Sequence, residues 1–266
     1  MELTLQSAPL FWDILVVLLG ASIGSFIGVL IARLPEDLSV VQPPSYCFRC
    51  GHPIAWYDNL PLLSYWIAGG KCRRCGGHFS PGHFFIELYV AALTWLLWRY
   101  LGPTWELFPA WLLTWVLIPI SVIDAREQII PDELSIGGLV IALGISFLPG
   151  GLSPQEAALA AVAGGGTLWA VAAAYLKLRG HEGMGTGDFK LLAMIGAFVG
   201  LKGTLLAVMV ASVVGSVLGG GYLLLSRSGS RTPIPFGPFL ALGGFLALLF
   251  PDEIVQVYLR LVGSLL

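Results

Sequence analysis

The chain consists of long apolar stretches separated by short polar segments. The first apolar stretch covers 11–32 and is interrupted only by Asp13 near its start. Seven more follow a polar insert, at 83–100, 107–123, 134–148, 156–176, 189–201, 203–225 and 236–250. Since a helix needs about 20 apolar residues to cross the hydrocarbon core, the pattern predicts an all-α polytopic membrane protein with about eight transmembrane helices. Two of these stretches, 134–148 and 189–201, are short and are expected to be tilted, broken or buried against neighbours.

The same pattern predicts four domains. They are a first transmembrane helix at 11–34, a small polar domain at 35–82, a transmembrane bundle at 83–252, and a C-terminal tail at 253–266 that lies along the surface or packs on the bundle. The first charge of the chain is Glu2 and the first stretch ends at Arg33. A cleaved signal peptide starts with positive charge and ends in small residues, so we expect a retained first span.

Composition excludes a soluble globular protein. Hydrophobic residues make up 56% of the chain and charged residues 11%, whereas a soluble domain carries roughly a quarter charged residues. Membrane lipid is therefore the expected surrounding. The net charge of -2 gives no basis for a polyanionic partner, and we expect no binding of nucleic acid.

The basic residues indicate the orientation. Loops that stay in the cytoplasm keep Lys and Arg, and eleven of the 14 basic residues fall on one side if the amino terminus is outside, leaving Arg99, Lys202 and Arg260 elsewhere. The eleven are Arg33, Arg49, Lys71, Arg73, Arg74, Arg126, Lys177, Arg179, Lys190, Arg227 and Arg231. This predicts a cytoplasmic polar domain and both termini outside.

Glycines recur at a spacing of four in two apolar stretches. Gly20, Gly24 and Gly28 share one face of the first, and Gly215 and Gly219 repeat the pattern later. Small residues at this spacing let membrane helices approach closely, so we expect helix packing here and assign these glycines no chemistry.

All four cysteines lie in the polar domain, as two C-x2-C pairs with 21 residues between them. They are Cys47, Cys50, Cys72 and Cys75. Four thiolates at this spacing are typical of a closed structural Zn²⁺ site. The alternative is two disulfides, which the predicted cytoplasmic location disfavours. Zinc would replace the hydrophobic core that so short a segment has difficulty supplying.

Glycines and histidines accompany the cysteine pairs. Gly51 and Gly76 each follow a pair, where a residue able to take positive φ lets the chain fold back around a metal. His52 and His78 are alternative ligands, but with four cysteines present we expect both histidines at the surface.

Two aspartates at the ends of apolar stretches are the strongest candidates for chemistry. Asp124 follows one stretch directly, and Asp188 precedes another within Gly185-Thr186-Gly187-Asp188. Ionisable groups at membrane spans are costly and are read first as functional. Both lie on the predicted cytoplasmic side and can meet at one depth. Two facing carboxyl groups share a proton, so one can activate water while the other polarises a peptide carbonyl.

Each aspartate also has a purely structural interpretation. Asp188 can cap a helix, and Asp124 can be solvated at the interface. Gly185 and Gly187 favour the functional one, because they leave an open backbone beside the carboxylate that an extended substrate could approach. A nucleophilic triad is disfavoured, since the histidines have no evident serine or acidic partner.

These motifs, in this order, resemble the bacterial type IV prepilin peptidases, a GxGD-type aspartyl protease family. Its members are bifunctional leader peptidases and N-methyltransferases of type IV pilus assembly and type II secretion. The motifs are Gly24-Ser25-Phe26 with Arg33-Leu34-Pro35, the cysteine pairs, Trp56 to Tyr65, Glu87-Leu88, Ile123-Asp124 with Pro131-Asp132, Glu182 to Leu192, and Pro233 to Pro238.

The resemblance implies roles for several residues. Asp124 and Asp188 would be the catalytic pair, supported by the motif residues Gly185, Gly187 and Lys190. The implied substrates are prepilins or pseudopilins, cut at the cytoplasmic face of the inner membrane. The new amino terminus is then methylated with S-adenosylmethionine, and Gly70 matches a glycine associated with methylation.

The chain departs from the family pattern at a few positions. Arg126 stands where an acidic residue is common, Gly28 where asparagine is usual, and His181 where lysine is usual. Asp132 is the alternative to Asp124 as the first catalytic residue. Two other functions fit the same residues: a transporter that uses the aspartates as an ion site, and a silent zinc-bearing assembly factor that only binds pilins.

Overall fold

A computed structural model describes residues 9–149, 151–180, 184–226 and 234–263. His181, Arg227, Arg231 and Pro233, which the sequence analysis singled out, lie outside these ranges. The chain divides into two compact units, 1–107 and 108–266. The prediction of an all-α chain is confirmed for the described ranges, which contain helices and two isolated β-bridges but no strand.

The first unit is built on two long helices, α1 (Pro9–Arg33) and α3 (Pro81–Leu101), that pack against each other. Between them lie two 3₁₀ turns, Leu34–Glu36 and Trp56–Asp58, and a short helix, α2 (Leu63–Ile67). Helix α3 begins where Ser80 accepts a hydrogen bond from the backbone N–H of Gly82 and Pro81 supplies a pre-set φ. The segment from 34 to 80 therefore forms a module at one end of the α1/α3 pair.

The described residues of the second unit form six helices. They are α4 (Leu107–Glu127), α5 (Asp132–Ile145), α6 (Pro154–Arg179), α7 (Thr186–Ser226), α8 (Gly237–Leu249) and α9 (Pro251–Gly263). Helix α7 packs against α5, α6 and α8 and is the centre of the unit. It is interrupted at Gly200, where φ is 72° and ψ is 179°.

The predicted number of eight spans is not confirmed. Five described helices, α1, α3, α4, α6 and α7, are long and apolar enough to cross a membrane. Helices α8 and α9 are bent by 103° at their junction and make a sixth span if the pair counts as one. The stretch 134–148 forms the 14-residue α5, which at 1.5 Å per residue spans about 21 Å of the roughly 30 Å core.

The two stretches 189–201 and 203–225 form two helical segments that meet at a kink and together make up α7. The break that the sequence predicts between them is present at Gly200, but the chain continues as α7 on both sides. Positive φ at this position is readily adopted by glycine, and the flanking residues return at once to helical geometry. An apolar pattern alone does not distinguish such an interrupted helix from two spans.

Glycines bring the helices into close contact, as the spacing of Gly20, Gly24 and Gly28 predicts; Gly215 and Gly219 lie against the side chains of Phe239 and Ile234. A Cβ atom on Gly24 would lie 2.7 Å from the Cα of Glu87, so α1 and α3 touch at this point. In the second unit a Cβ on Gly196 would lie 2.6 Å from the carbonyl oxygen of Ala160. Gly243 of α8 approaches the carbonyl oxygen of Ala207 in the same way.

Two neighbouring glycines of α6 provide a test of this packing. A Cβ on Gly164 would lie 2.9 Å from the carbonyl oxygen of Leu192, whereas one on Gly166 would meet no atom within 4 Å. We expect Gly164→Ala to destabilise the protein by about 1–3 kcal/mol through overpacking. Gly166→Ala should be neutral or stabilising by up to about 1 kcal/mol, because alanine costs less entropy in a helix. Thermal unfolding in detergent measures both, and equal losses for the two variants would contradict the close contact at Gly164.

Candidate active site and metal centre

Asp124 lies in the last turns of α4 and is buried, with 5% of its surface exposed. Its Oδ2 atom accepts a hydrogen bond of 2.8 Å from the backbone N–H of Gly237, the first residue of α8. The amide at a helix start has no partner within its own helix, so it is available for the carboxylate. Asp124 is thus fixed from outside its own helix.

Gly237 owes its place beside Asp124 to its lack of a side chain. A Cβ atom there would lie 2.6 Å from Oδ2 and 3.0 Å from Cγ of Asp124. Gly237 belongs to the motif Pro233 to Pro238, but the motif by itself does not indicate this role. The available signal was the segment Ile234-Pro235-Phe236-Gly237-Pro238, where one glycine stands between prolines.

Asp188 lies in the first turn of α7 and is also buried, with 9% exposed. It is close enough to Asp124 for the two carboxyl groups to interact electrostatically. The two aspartates thus lie within electrostatic range of each other, although 63 residues separate them in the sequence. Among the described acidic residues of the second unit, these two are the buried ones.

The two glycines before Asp188 differ in their surroundings. Gly185 is exposed, and the atom nearest to a Cβ built on it is Oδ2 of Asp188, at 3.9 Å. Gly187 packs tightly, since its Cβ would lie 2.8 Å from the Cβ of Ile130. Gly185 thus leaves space beside the carboxylate, and Gly187 allows the start of α7 to lie against the segment that follows α4.

Asp132 and Lys190 form an ion pair. The Lys190 Nζ atom lies 2.6 and 2.8 Å from the two carboxylate oxygens of Asp132. The Asp132 side chain is 56% exposed, in contrast to the buried Asp124. This ion pair connects the start of α5 to the start of α7.

The four cysteines of the first unit form one cluster. Their Sγ atoms all lie within 4.8 Å of one another, with Cys47 to Cys75 at 3.7 Å and Cys50 to Cys72 at 4.0 Å. A tetrahedron of sulfurs at about 2.3 Å from a metal has edges of about 3.8 Å, so the cluster has the dimensions of a four-thiolate metal site. All four cysteines are free, so neither disulfide of the alternative is present.

Each cysteine pair lies in a small loop closed by backbone hydrogen bonds. An isolated bridge joins Tyr46 to Pro53 around the first pair, and another joins Lys71 to His78 around the second. The predicted positive φ values are confirmed at Gly51, with 68°, and Gly76, with 67°. His52 and His78 are both exposed and lie outside the cluster of ligand atoms.

The protein environment makes the thiols unequal. Backbone N–H groups of Cys50 and Arg49 lower the pKa of Cys47 to about 7. The backbone N–H of Gly77 lowers the pKa of Cys75, but burial and the hydrogen bonds of the neighbouring thiols raise it more. The result is a pKa of about 11. Metal ligands bind as thiolates, so a metal entering this cluster releases protons.

A cavity of about 740 Å³ lies within the first unit, between the cysteine module and the ends of α1 and α3. Gly70, which the resemblance associates with methylation, lines this cavity in a positive-φ conformation of 66°. A Cβ on Gly70 would lie 3.1 Å from the Tyr65 ring. Any side chain at this position would therefore press on an aromatic residue of the cavity.

Comparison with known proteins identifies the family. Residues 18–101 match the bacterial peptidase A24 N-terminal domain, and residues 111–220 match the type IV leader peptidase family. The chain belongs to this peptidase family. No solved structure matches it.

Curated relatives extend over nearly the whole chain. A Pseudomonas aeruginosa protein is 38% identical over 282 residues, covering 97% of each chain. An Aeromonas hydrophila protein is 38% identical over 275 residues, covering 94% of this chain and 95% of its own. Both are named prepilin leader peptidase/N-methyltransferase, which confirms the prediction of an enzyme that combines the two activities. The apolar helices and these relatives indicate a multi-pass inner-membrane protein.

The cysteine cluster predicts about one bound metal ion per purified chain. Replacing one ligand, as in Cys72→Ser, should reduce the metal content several-fold, because a closed four-ligand site loses a quarter of its coordination. His78→Ala is the matched control and should retain the metal, since this histidine lies outside the cluster. Elemental analysis of reduced protein measures the metal content of the unaltered chain and of both variants. A metal content near zero in the unaltered chain would contradict the site.

The contact between Gly237 and Asp124 predicts that Gly237→Ala impairs cleavage of a leader peptide. The new methyl group would displace the carboxylate, and a shift of about 1 Å in a catalytic group can lower the rate about 100-fold. Gly244→Ala is the packing control, because its Cβ would press on Ile195 at 2.9 Å and on no carboxylate. The measurement is the rate of leader-peptide cleavage per amount of folded protein. A similar loss of rate in both variants would show that the effect of Gly237→Ala comes from packing.

Proposed function

We propose that this chain cleaves the leader peptides of type IV prepilins or type II secretion pseudopilins at the cytoplasmic face of the inner membrane, and that it methylates the new amino terminus. Family membership and the names of the curated relatives support both activities. The observation that carries the peptidase half is the pair of interacting, buried carboxyl groups of Asp124 and Asp188.

The pair supports hydrolysis without a covalent intermediate. Two buried carboxyl groups in proximity hold one proton between them. The ionised member takes a proton from a water molecule as the water attacks the scissile carbonyl carbon. The protonated member donates its proton to the carbonyl oxygen, which gives a tetrahedral diol. As the C–N bond breaks, the first carboxyl group passes the proton taken from water to the leaving amine, and the second takes a proton back from the diol, which restores the pair. The hydrogen bond from Gly237 to Asp124 keeps one of the two carboxyl groups in a fixed orientation.

Access to the pair is consistent with an extended substrate. Gly185 is exposed directly before the first turn of α7 and leaves the side of Asp188 open. An extended peptide exposes its backbone N–H and C=O groups, which can pair with an open backbone segment. We therefore infer that the residues around the scissile bond lie along the segment from Met184 to Gly187.

The first unit contains residues that fit two further groups, a metal ion and a methyl donor. The metal of the four-cysteine cluster is proposed to be structural zinc, held by Cys47, Cys50, Cys72 and Cys75, whose thiol spacing suits tetrahedral coordination. S-adenosylmethionine would supply the methyl group when bound. Gly70, which lines the cavity, is the residue that the family resemblance associates with that activity.

The orientation and domain boundaries are also part of this proposal. We infer that both termini lie outside and that the polar module faces the cytoplasm, because the basic residues favour that side. The boundaries 11–34, 35–82, 83–252 and 253–266 stay a prediction.

The dyad predicts that Asp124→Asn and Asp188→Asn each abolish cleavage. Loss of a general acid or base lowers rates by about 100-fold to 10,000-fold, and removing either member of the pair should reach that range. Mass spectrometry of a prepilin incubated with purified protein in detergent measures the product. An amide can still accept the hydrogen bond from Gly237, so Asp124→Asn is expected to fold.

Asp132→Asn is the matched control for both variants. It makes the same chemical change at the exposed aspartate that pairs with Lys190, and exposed ion pairs contribute roughly 0–1 kcal/mol. Cleavage should stay within a few-fold of the unaltered chain. Full activity in either dyad variant would exclude the aspartyl mechanism, and loss in Asp132→Asn alone would move the catalytic role to that residue.

A further inference from the structure

The cavity of the first unit contains a buried acidic group with no basic partner. Glu87 of α3 lines the cavity and is 8% exposed. In the part of the chain that the structure describes, no Lys, Arg or His forms an ion pair with it. Asp58, the other acidic residue of the cavity, is paired with Arg73 at 2.7 Å. A buried charge without a partner is costly, so the cavity is suited to a cation beside Glu87.

Glu87 is held in place by its surroundings. Its Oε2 atom accepts a 2.7 Å hydrogen bond from the backbone N–H of Leu62, which leads into α2. Its backbone lies against Gly24, where α1 and α3 are in close contact. The carboxylate therefore has a defined position at the junction of the membrane helices and the cysteine module.

Aromatic rings line the same cavity. Tyr65 and Phe84 both line the cavity and stack with their centroids 5.2 Å apart. His83, one turn before Glu87, also lines the cavity, and it fits because Gly28 has no side chain: a Cβ there would lie 2.6 Å from the imidazole ring. Aromatic faces attract soft organic cations and stack on heterocyclic bases.

The size and charge of the cavity select among possible ligands. A volume of about 740 Å³ lies within the range of about 300–1,000 Å³ that small-molecule sites occupy. Five basic residues also line the cavity: Arg33, Arg49, Lys71, Arg73 and Arg74. Arg73 is paired with Asp58 and Arg33 donates to the carbonyls of Ser39 and Pro43, so Lys71 is the residue best placed to attract a carboxylate. The cavity thus offers an anion for a cationic centre, aromatic surface for a base, and cations for an acidic group.

We propose that this cavity is the methyl-donor site and that the carboxylate of Glu87 binds the positively charged sulfonium of S-adenosylmethionine. This inference rests on the methyl transfer proposed above and adds its location and its charge recognition. Glu87 acts as a binding residue. The proposal also accounts for Gly70, whose missing side chain leaves Tyr65 undisturbed in the same cavity.

The test compares two ligands that differ in charge at sulfur. S-adenosylmethionine carries a sulfonium, and S-adenosylhomocysteine carries a neutral thioether. Isothermal titration calorimetry on the full-length, metal-loaded protein in detergent measures both, with no prepilin present. Glu87→Gln should raise the Kd for S-adenosylmethionine at least about 10-fold, because an interaction with a charged group is lost. The Kd for S-adenosylhomocysteine should rise less than about 3-fold, because its thioether carries no charge.

The variant is conservative, because a glutamine oxygen can still accept from the Leu62 N–H. Glu36→Gln is the matched control: Glu36 is exposed on a 3₁₀ turn outside the cavity, and its variant should bind both ligands normally. Metal content and thermal unfolding establish whether Glu87→Gln is folded. If it is not, Ala68→Trp provides a second variant, since Ala68 lines the cavity and a bulky side chain there should block both ligands.

The outcomes separate the two proposals. Equal weakening of both ligands in folded Glu87→Gln overturns the charge recognition, and normal binding of both in Ala68→Trp overturns the location. Methylation of a cleaved prepilin by the unaltered chain is followed in parallel. If that methylation never occurs, the proposed transferase function itself fails. If it occurs while neither cavity variant affects donor binding, only the cavity assignment is wrong.

Discussion

Close approach of helix backbones is the constraint on which the rest of this structure depends. Lipid supplies little hydrophobic force between helices, so association relies on contact that small residues permit. Gly24 joins α1 to α3, and Gly164 and Gly196 join α6 to α7. At Gly237 the absence of a side chain also matters for the chemistry, because the backbone N–H can approach the Asp124 carboxylate closely enough to donate a hydrogen bond. Helix packing and the geometry of the candidate active site are therefore controlled by one type of residue.

In each unit a backbone amide donates a hydrogen bond to a buried carboxylate. Asp124 accepts from the amide of Gly237, and Glu87 accepts from the amide of Leu62. In both cases the donor lies at the start of a helix, where amides have no partner within the helix. A hydrogen bond from the backbone orients a carboxylate without adding a compensating charge. Both groups therefore keep the capacity to act on a second carboxyl group or on a cationic ligand.

The sequence predicted local features better than long-range ones. The cysteine cluster follows from short spacings, since each pair lies within one loop. The aspartates were predicted from their positions at the ends of apolar stretches, and both are buried and interact electrostatically; their role as a catalytic pair stays a prediction. The contact of Gly237 with Asp124 was not predictable, because it joins residues 113 apart. The number of eight spans is not confirmed, since hydropathy does not distinguish the short α5 or the kinked α7 from complete crossings.

Cys47 and Cys72 line the cavity as well as belonging to the cysteine cluster. Binding of a structural metal is coupled to folding, because the unfolded chain holds no preformed site. If the cluster holds zinc as proposed, the surface of the cavity is completed only when the ion is in place. A newly made chain would then insert its helices into the membrane independently of the metal, while the maturation of its polar module would follow the supply of zinc in the cell.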